Sequence, residues 1–133
     1  MGRILFGDVN PSGKLTVSLP KFSKQFPTSW HSLGSETSYD EGIFVGYRYF
    51  DKYKKTPSYP FGLGLSYTSF EYSKPSIIKD GNKVKVSIKI TNTGKVQGKE
   101  IVQLYINDPK CTEERPDKEL KDFEKNRSCS FAK

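Results

Sequence analysis

Between positions 83 and 90 the chain reads KVKVSIKI, a strict alternation of polar and branched apolar residues. Because successive side chains of a β-strand point to opposite faces, this pattern predicts a strand with valines and isoleucines on one face and lysines on the other. The lysines are expected to lie in solvent, where they discourage edge-to-edge pairing of strands. The segment therefore indicates a β-sheet with one apolar face.

Short runs of β-forming residues, separated by turn residues, occupy much of the remaining chain. Glycine, proline, asparagine and aspartate mark the turns because they adopt or stabilise turn conformations. Antiparallel strands at this spacing are typical of a β-sandwich. The predicted strands are 14–20, with Leu15, Val17 and Leu19 on its buried face, 43–50, 70–78, 83–91 and 100–107, and the predicted turns are 8–13, 80–82 and 92–94.

Two further segments lack a clear pattern. Residues 21–42 show no sustained period and are interpreted as a long irregular connection, which is uncommon in a compact domain unless it has a function or covers a surface. Residues 113–125 are densely charged, with Leu120 and Phe123 three positions apart. A short helix that begins near Pro116 and a peripheral strand both fit this spacing.

Composition limits the possible classes of protein. The chain has 133 residues, about one domain's length, and its hydrophobic fraction of 34% predicts marginal burial. No run approaches the roughly 20 apolar residues of a transmembrane helix, and the first residues do not form a secretory signal, so compartment and membrane association are not indicated. The net charge of +7 could suit nucleic acid, but solvated strand lysines explain it better and no recognition motif is present.

No metal site, cofactor site or catalytic residue is predicted. Cys111 and Cys129 lie on the charged tail, where two unpaired thiols or one bridge are both possible, and the single His31 cannot form a Cys/His metal cluster. His31 also lacks a nucleophile motif for a Ser-His-acid triad. Glycosidases need a pair of carboxylates at a defined separation. Asp40 and Glu41 are adjacent and would point apart, and Asp51 ends a predicted strand, so they are interpreted as solvated acids.

The segment from Tyr39 to Tyr72 contains 11 of the 18 aromatic residues, interleaved with glycines. Aromatic rings cover large apolar areas at modest entropic cost, and glycine permits close approach of the backbone. Such a segment suits a surface that lies against another domain. The residues predicted to pack between domains are Tyr39, Phe44, Tyr47, Tyr49, Phe50, Phe61 and Tyr67.

Five segments, in this order, resemble the C-terminal region of glycoside hydrolase family 3 β-glucosidases. They are LFGDVNPSGKLTVSLPK (5–21), YDEGIFVGYRYFDK (39–52), YPFGLGLSYTSFEYS (59–73), TNTGKVQGKEIVQLYINDP (91–109) and RPDKELKDFEK (115–125). The chain departs from the family pattern at Asp122, where glycine is usual, and in the ending NRSCSFAK.

The resemblance implies a mainly β fold: an incomplete fibronectin type III-like, immunoglobulin-like sandwich, preceded by an extended aromatic-rich connector and a short remnant of an α/β domain. The implied boundaries are 1–38 for the remnant, 39–68 for the connector and 69–133 for the sandwich. In this family the nucleophilic Asp lies on a barrel domain and the acid/base Glu on the α/β domain, both upstream of these motifs. The chain alone is therefore expected to be inactive, with the missing barrel and α/β domains as its partners and a glycoside as substrate only of the full-length enzyme.

Residues 70–133 number 64, whereas a seven-stranded sandwich takes about 100, which predicts a fragment or truncated product. Uncovered apolar faces and strand edges would then cause partial folding or self-association. The alternative from another class is a free-standing β-sandwich module that binds carbohydrate or protein, with Trp30, Tyr47 and Tyr49 as a platform for sugar rings. A basic nucleic-acid binder ranks last.

Overall fold

The computed structural model describes residues 2–25 and 41–126. Helical structure in these ranges comprises α1 (Gly2–Leu5), one 3-10 turn (Ser23–Gln25) and α2 (Tyr47–Lys52). The strands are β1 (Phe70–Tyr72), β2 (Ser76–Asp80), β3 (Lys83–Ser87), β4 (Ile90–Asn92), β5 (Ile101–Ile106) and β6 (Glu119–Lys125).

The described strands form three two-stranded sheets, β1 with β4, β2 with β3, and β5 with β6. Strands β2 and β3 form an antiparallel hairpin whose last pair is Asp80 with Lys83. Its two-residue connection contains Gly81 at a φ of 57°, a left-handed conformation that glycine adopts without a steric penalty. The predicted tight turn at 80–82 is thus confirmed.

The alternating segment is extended as predicted, but it forms two strands rather than one, because it changes partner at residues 88 and 89. Strand β3 pairs with β2 and β4 pairs with β1, and the same interruption divides the predicted strand 70–78 into β1 and β2. At the break, the backbone N–H of Ser73 donates a hydrogen bond to the carbonyl oxygen of Lys89. Pro75 follows at once and lacks the N–H that a continuous ladder would need.

The strand predicted at 43–50 is wrong, because residues 47–52 form helix α2. Gly46 precedes the helix with φ 58° and ψ −130°, which ends the extended path. Tyr47 and Phe50 are three residues apart and therefore share a helix face, and Phe50 is only 5% exposed. Burial of this face outweighs the preference of aromatic and β-branched residues for strands.

The burial predicted for the strand at 14–20 is also wrong. The segment makes backbone hydrogen bonds with residues 59–63, but its only bridge among the described residues joins Leu19 to Tyr59. Val17 and Leu19 are exposed, whereas Ser18 is buried and accepts a hydrogen bond from the backbone N–H of Phe61. Of the face predicted to be apolar and buried, Leu15 is half-buried, whereas Val17 and Leu19 lie in solvent.

The remaining sequence predictions fare differently. Strand β5 confirms the strand predicted at 100–107. In the charged segment 113–125 the structure has strand β6, so the strand alternative is confirmed and the helix alternative is wrong. Most of the predicted connection 21–42 lies outside the described residues, since only 21–25, with their 3-10 turn, and the residues after 40 are described. No helix in the described ranges is long and apolar enough to cross a bilayer.

The chain divides into two compact units. Unit 1 comprises the described residues of 1–13, 64–102 and 124–133, and unit 2 comprises those of 14–63 and 103–123. The buried aromatic side chains of the described residues, Phe44 and Phe50, belong to unit 2, whereas Asn92 and Glu100 are the buried polar side chains of unit 1. Units defined by contacts are not sequence domains, so the boundaries at 38 and 68 stay predictions.

Candidate functional site

Unit 2 contains a pocket of about 340 Å³ that we call the aromatic pocket. Its walls combine aromatic rings with the Asp51 carboxylate and the ammonium groups of Lys55 and Lys118, of which Lys118 faces the carboxylate. The residues that define it are Tyr47, Phe50, Asp51, Phe61, Tyr105 and Lys118.

Helix α2 supplies half of these residues. Tyr47, Phe50 and Asp51 are separated by three and four positions, which places them on one side of a helix. An extended strand would instead have directed Phe50 and Asp51 to opposite faces. The helix thus brings an aromatic pair and a carboxylate to the same wall.

Tyr47 is held on three sides. Its ring centroid lies 4.9 Å from that of Phe61 and 5.8 Å from that of Tyr105, with which it makes an edge-to-face contact. Its hydroxyl oxygen accepts a hydrogen bond of 2.8 Å from the backbone N–H of Leu120. Aromatic pairs of this geometry contribute about 0.5–1.5 kcal/mol beyond their buried area. The ring therefore has little freedom to reorient toward a ligand.

The carboxylate of Asp51 is paired within the pocket. The ammonium nitrogen of Lys118 lies 3.3 Å from Oδ1 and 3.2 Å from Oδ2 of Asp51. Oδ2 is buried and lacks a hydrogen bond of good geometry, but its closeness to the ammonium nitrogen makes the contact an ion pair. The same lysine lies 5.9 Å from the Tyr105 ring centroid. The geometry therefore gives Asp51 a structural contact with Lys118.

Tyr105 stays protonated across the neutral range. Burial raises the pKa of its hydroxyl, and electrostatic interactions with Tyr47 and Asp51 raise it further. The hydroxyl donates a hydrogen bond of 3.0 Å to the side-chain oxygen of Gln103. Among the described lining residues Asp51 is the one carboxylate, whereas glycoside hydrolysis by the usual route uses two.

A second set of contacts involves the lysines of α2 and the turn after it. The Lys52 ammonium nitrogen lies 3.6 Å from the Phe44 ring centroid and 2.7 Å from a carboxylate oxygen of Glu114. The Lys55 ammonium group donates a hydrogen bond of 2.7 Å to the Tyr49 hydroxyl. These cation–π and ionic contacts cover ring faces that a sugar could otherwise use.

The structure brings together most of the residues predicted to pack between domains. Phe44, Tyr47, Tyr49, Phe50 and Phe61 all belong to unit 2. Tyr47 contacts Phe61, Tyr49 contacts Phe50, and Phe44 lies against the Lys52 ammonium group. Contact of these rings with another domain stays a prediction.

Tyr67 and Tyr39 are the two remaining residues predicted to pack between domains. Tyr67 belongs to unit 1, where its hydroxyl donates a hydrogen bond of 2.7 Å to the carbonyl oxygen of Ile4. Tyr39 lies outside the described residues.

Sequence reasoning missed three lining residues of the pocket, Ser18, Tyr105 and Lys118. The interpretation of Asp51 as a solvated acid is wrong, because its carboxylate lies in the pocket and is paired with Lys118. Tyr105 lies in a correctly predicted strand but outside the aromatic-rich segment. Asp51 and Lys118 are 67 positions apart, so no local pattern pairs them. The helical spacing of Tyr47, Phe50 and Asp51 was the available signal, and the β-forming composition of the segment obscured it.

Several predicted features cannot be placed. Trp30, His31, Asp40 and Cys129 lie outside the described residues. Cys111 is half-buried. Within residues 2–25 and 41–126, no three His, Cys, Asp or Glu side chains converge as a metal site would require.

Two family models match the chain. Residues 1–67 match the glycosyl hydrolase family 3 C-terminal domain, and residues 100–127 match a fibronectin type III-like domain. The second match, together with the open two-stranded sheets, confirms the predicted mainly β fold with a partial β-sandwich.

Individual proteins are similar over nearly the whole chain. A thermostable β-glucosidase B of Acetivibrio thermocellus is 49% identical over 92% of this chain and 17% of its own length, and a β-glucosidase of Bacteroides ovatus is 48% identical over 92% and 18%. The solved structure of β-glucosidase 3B from Thermotoga neapolitana in complex with glucose has a TM-score of 0.92 and 41% identity over 98% of this chain and 19% of that chain. The chain thus spans less than a fifth of each of these proteins.

Proposed function

Because the chain belongs to glycoside hydrolase family 3, matching its C-terminal domain, we propose that it is a structural portion of a β-glucosidase-type enzyme and does not hydrolyse glycosides by itself. In the full-length enzyme the reaction would be hydrolysis of terminal β-D-glucosyl residues. The sequence resemblance on which the prediction rested is confirmed by the family matches and the β-glucosidase relatives.

The ion pair between Asp51 and Lys118 is the observation that supports the proposal of inactivity. A retaining or inverting glycosidase needs one carboxyl group that is protonated near neutral pH and a second carboxylate opposite it. Asp51 is instead neutralised by Lys118, and no other acid lines the described part of the aromatic pocket. The polar groups around it bond one another, which fits a packing role.

The proposed partners are the barrel and α/β domains of the parent enzyme. The share of the relatives that the chain spans, less than a fifth, supports this proposal, since those proteins contain much more than this region. The aromatic residues predicted to pack between domains would then meet these neighbours through their remaining exposed surface.

Release of nitrophenol from an aryl β-glucoside tests the proposal. The purified chain should release no more than buffer, whereas a full-length family member should turn over in the same assay. If turnover by the chain survives repurification and is abolished in an Asp51→Asn variant, the proposal is wrong. Turnover by the chain that survives repurification makes the proposal wrong whether or not Asp51→Asn changes it.

A free-standing carbohydrate-binding module is the competing function, with Tyr47 and Tyr49 as its sugar platform. Both rings are half-buried and engaged, Tyr47 with Phe61 and Tyr105, and Tyr49 with Lys55. This engagement disfavours a platform role. Retention of the chain on an insoluble glucan, lost in Tyr47→Ala, would favour the module instead.

The Tyr47 hydroxyl provides a separate test of its packing role. Tyr47→Phe keeps the ring but leaves the Leu120 N–H without its acceptor, and we expect a loss of about 1 kcal/mol in the free energy of unfolding. Denaturant titration measures this loss, and Tyr59→Phe is the control because that side chain is exposed. Equal stability of the two variants would contradict the structural role of the hydroxyl.

A further inference from the structure

We propose that Asn10 is the positioning residue of unit 1, and that its side-chain amide holds three distant segments together as one cooperative element. The segments are the 8–13 turn, residues 66–70 and the 92–98 loop, and we call their meeting point the asparagine junction. This inference goes beyond the proposed function, because it assigns the structural work to a particular residue and does not depend on any glycosidase activity.

Both ends of the Asn10 amide are used. Its Oδ1 accepts hydrogen bonds from the Ser66 hydroxyl at 3.0 Å and from the Tyr67 backbone N–H at 2.9 Å. Its Nδ2 donates to the Gln97 carbonyl oxygen at 3.1 Å. One neutral side chain thus connects positions 56, 57 and 87 residues away, and it needs both an acceptor and a donor to do so.

The opposite side of the junction is built around Asn92, which is 2% exposed. Its Oδ1 accepts hydrogen bonds from the Thr68 hydroxyl at 2.6 Å and from the Gly94 N–H at 3.1 Å. Its Nδ2 donates to the Val96 carbonyl oxygen at 2.8 Å. Asn92 therefore stabilises the 92–98 loop and bonds it to Thr68. Asn10 bonds the same segment, 66–70, at Ser66 and Tyr67.

Gly98 shows how closely the three segments meet. A Cβ at this position would lie 2.8 Å from Asn10 Nδ2, 2.8 Å from Thr68 Cγ2 and 2.9 Å from Phe70 Cζ. Real Cβ contacts of this length are essentially absent, so only glycine fits without displacement. The neighbouring Gly94 would likewise bring a Cβ within 2.9 Å of the Ser69 backbone nitrogen. At both glycines the backbone lies so close to atoms of other segments that it indicates a packed junction and not a chance surface contact.

Each of the three predicted sequence segments contributes to this point. Asn10 belongs to 1–38, Ser66 and Tyr67 to 39–68, and Gln97 to 69–133. Asn10 also lies within the family 3 C-terminal match, whereas Gln97 lies between the two family matches. All of these residues belong to unit 1. Through this junction the 8–13 turn therefore bonds the residues just before strand β1 and the loop after strand β4.

Site-resolved amide hydrogen exchange on the 133-residue chain tests the junction. Tyr67 N–H reports the Asn10 contact directly, and Thr93 N–H, which donates to the Ser69 carbonyl oxygen, reports the 92–98 loop without touching Asn10. In Asn10→Ala both amides should exchange roughly tenfold faster, because loss of the shared contacts lowers the local opening free energy. Asn107→Ala, at an exposed asparagine, is the matched control and should change neither rate.

Asn10→Asp separates the two ends of the amide. The aspartate keeps an acceptor for Tyr67 N–H but has no donor for the Gln97 carbonyl oxygen. Tyr67 should therefore regain protection, while Thr93 exchanges as fast as in Asn10→Ala. Protection of both amides in Asn10→Asp, a change at Tyr67 alone in Asn10→Ala, or an unprotected Tyr67 amide in the unsubstituted chain would each overturn the proposal.

Gly98→Ala decides the question if Asn10→Ala unfolds the whole chain, which would appear as loss of protection at the Leu15 amide of unit 2. The three atoms that its Cβ would meet are the ends of side chains, so the substitution should loosen the junction without general unfolding. Faster exchange at Tyr67 and Thr93, with Leu15 unchanged, supports the junction. Unchanged exchange at Tyr67 and Thr93 overturns it.

Discussion

At the scale of single residues, Asn92 and Glu100 are more buried than any valine or isoleucine of the described strands. Ser18 is likewise buried while its neighbours Val17 and Leu19 are exposed. Each of these polar side chains has hydrogen-bond partners within the chain, which is the condition under which burial of a polar group is tolerated. Alternation of apolar residues cannot reveal such positions, because it assumes that only apolar groups face inward.

Tyr72 leads to a prediction at this scale. Burial raises the pKa of its hydroxyl from 10.0 to about 12, with added contributions from a hydrogen bond and charge repulsion with Glu100. A group whose pKa is raised on folding stabilises the fold fully below its unfolded pKa and loses that contribution as pH rises. The free energy of unfolding should therefore decline between pH 10 and pH 12, and Tyr72→Phe should flatten this decline.

Chemical denaturation across that pH range, with tyrosinate absorbance recorded in parallel, measures both effects. The effect will be small, since nearly half of the Tyr72 side chain is exposed and solvent screens the interaction. Tyr59→Phe is the control and should keep the pH dependence. An identical profile for Tyr72→Phe and the unsubstituted chain would contradict the assignment.

At the scale of elements, helix α2 shows that β-forming composition can be overridden. Six residues, three of them strand-favouring aromatics, become helical because Gly46 turns the chain and the helix directs Phe50 inward. The turn between β2 and β3 was predicted correctly, since its turn residues and the alternation on either side of it agree. The break near Pro75 was not foreseen, because it depends on which strand each segment pairs with.

Gly46→Ala tests this account of α2. An alanine at φ 58° and ψ −130° is strained although nothing lies within 4 Å of the new Cβ, so the cost is a backbone effect of about 1–2 kcal/mol in the free energy of unfolding. Gly13→Ala is the matched control, because Gly13 has equally open surroundings without a positive φ. If both variants are equally stable, the strained backbone at Gly46 is not what limits the helix.

At the scale of the whole molecule, large apolar side chains in solvent outnumber buried ones within the described residues. The hairpin illustrates this, with Ile77 67% and Val84 61% exposed on the same face, whereas the lysines lie in solvent as predicted. Apolar surface of this kind favours contact with another chain or domain. The marginal burial indicated by the composition agrees with this surface.

We expect the isolated chain to self-associate through such surface. Sedimentation velocity should show a weight-average coefficient that rises with concentration, and the double variant Ile77→Lys, Val84→Lys should weaken that dependence because it places charge on the apolar face of the hairpin. Ile78→Lys, on the opposite face, is the control and should have less effect. A monomer at all concentrations would refute this expectation.

Local sequence patterns established the extended character of most of the second half, the turn at residues 80–82 and, through five ordered motifs, the family. These are local properties, since periodicity and turn chemistry depend on residues a few positions apart. Tertiary structure alone decided that residues 47–52 are helical, that Ser18 is buried, and that Asp51 pairs with Lys118 across 67 positions and Asn10 with Tyr67 across 57. Such contacts depend on the path of the whole chain, because the free energy of packing two distant segments can exceed the local preferences of either one.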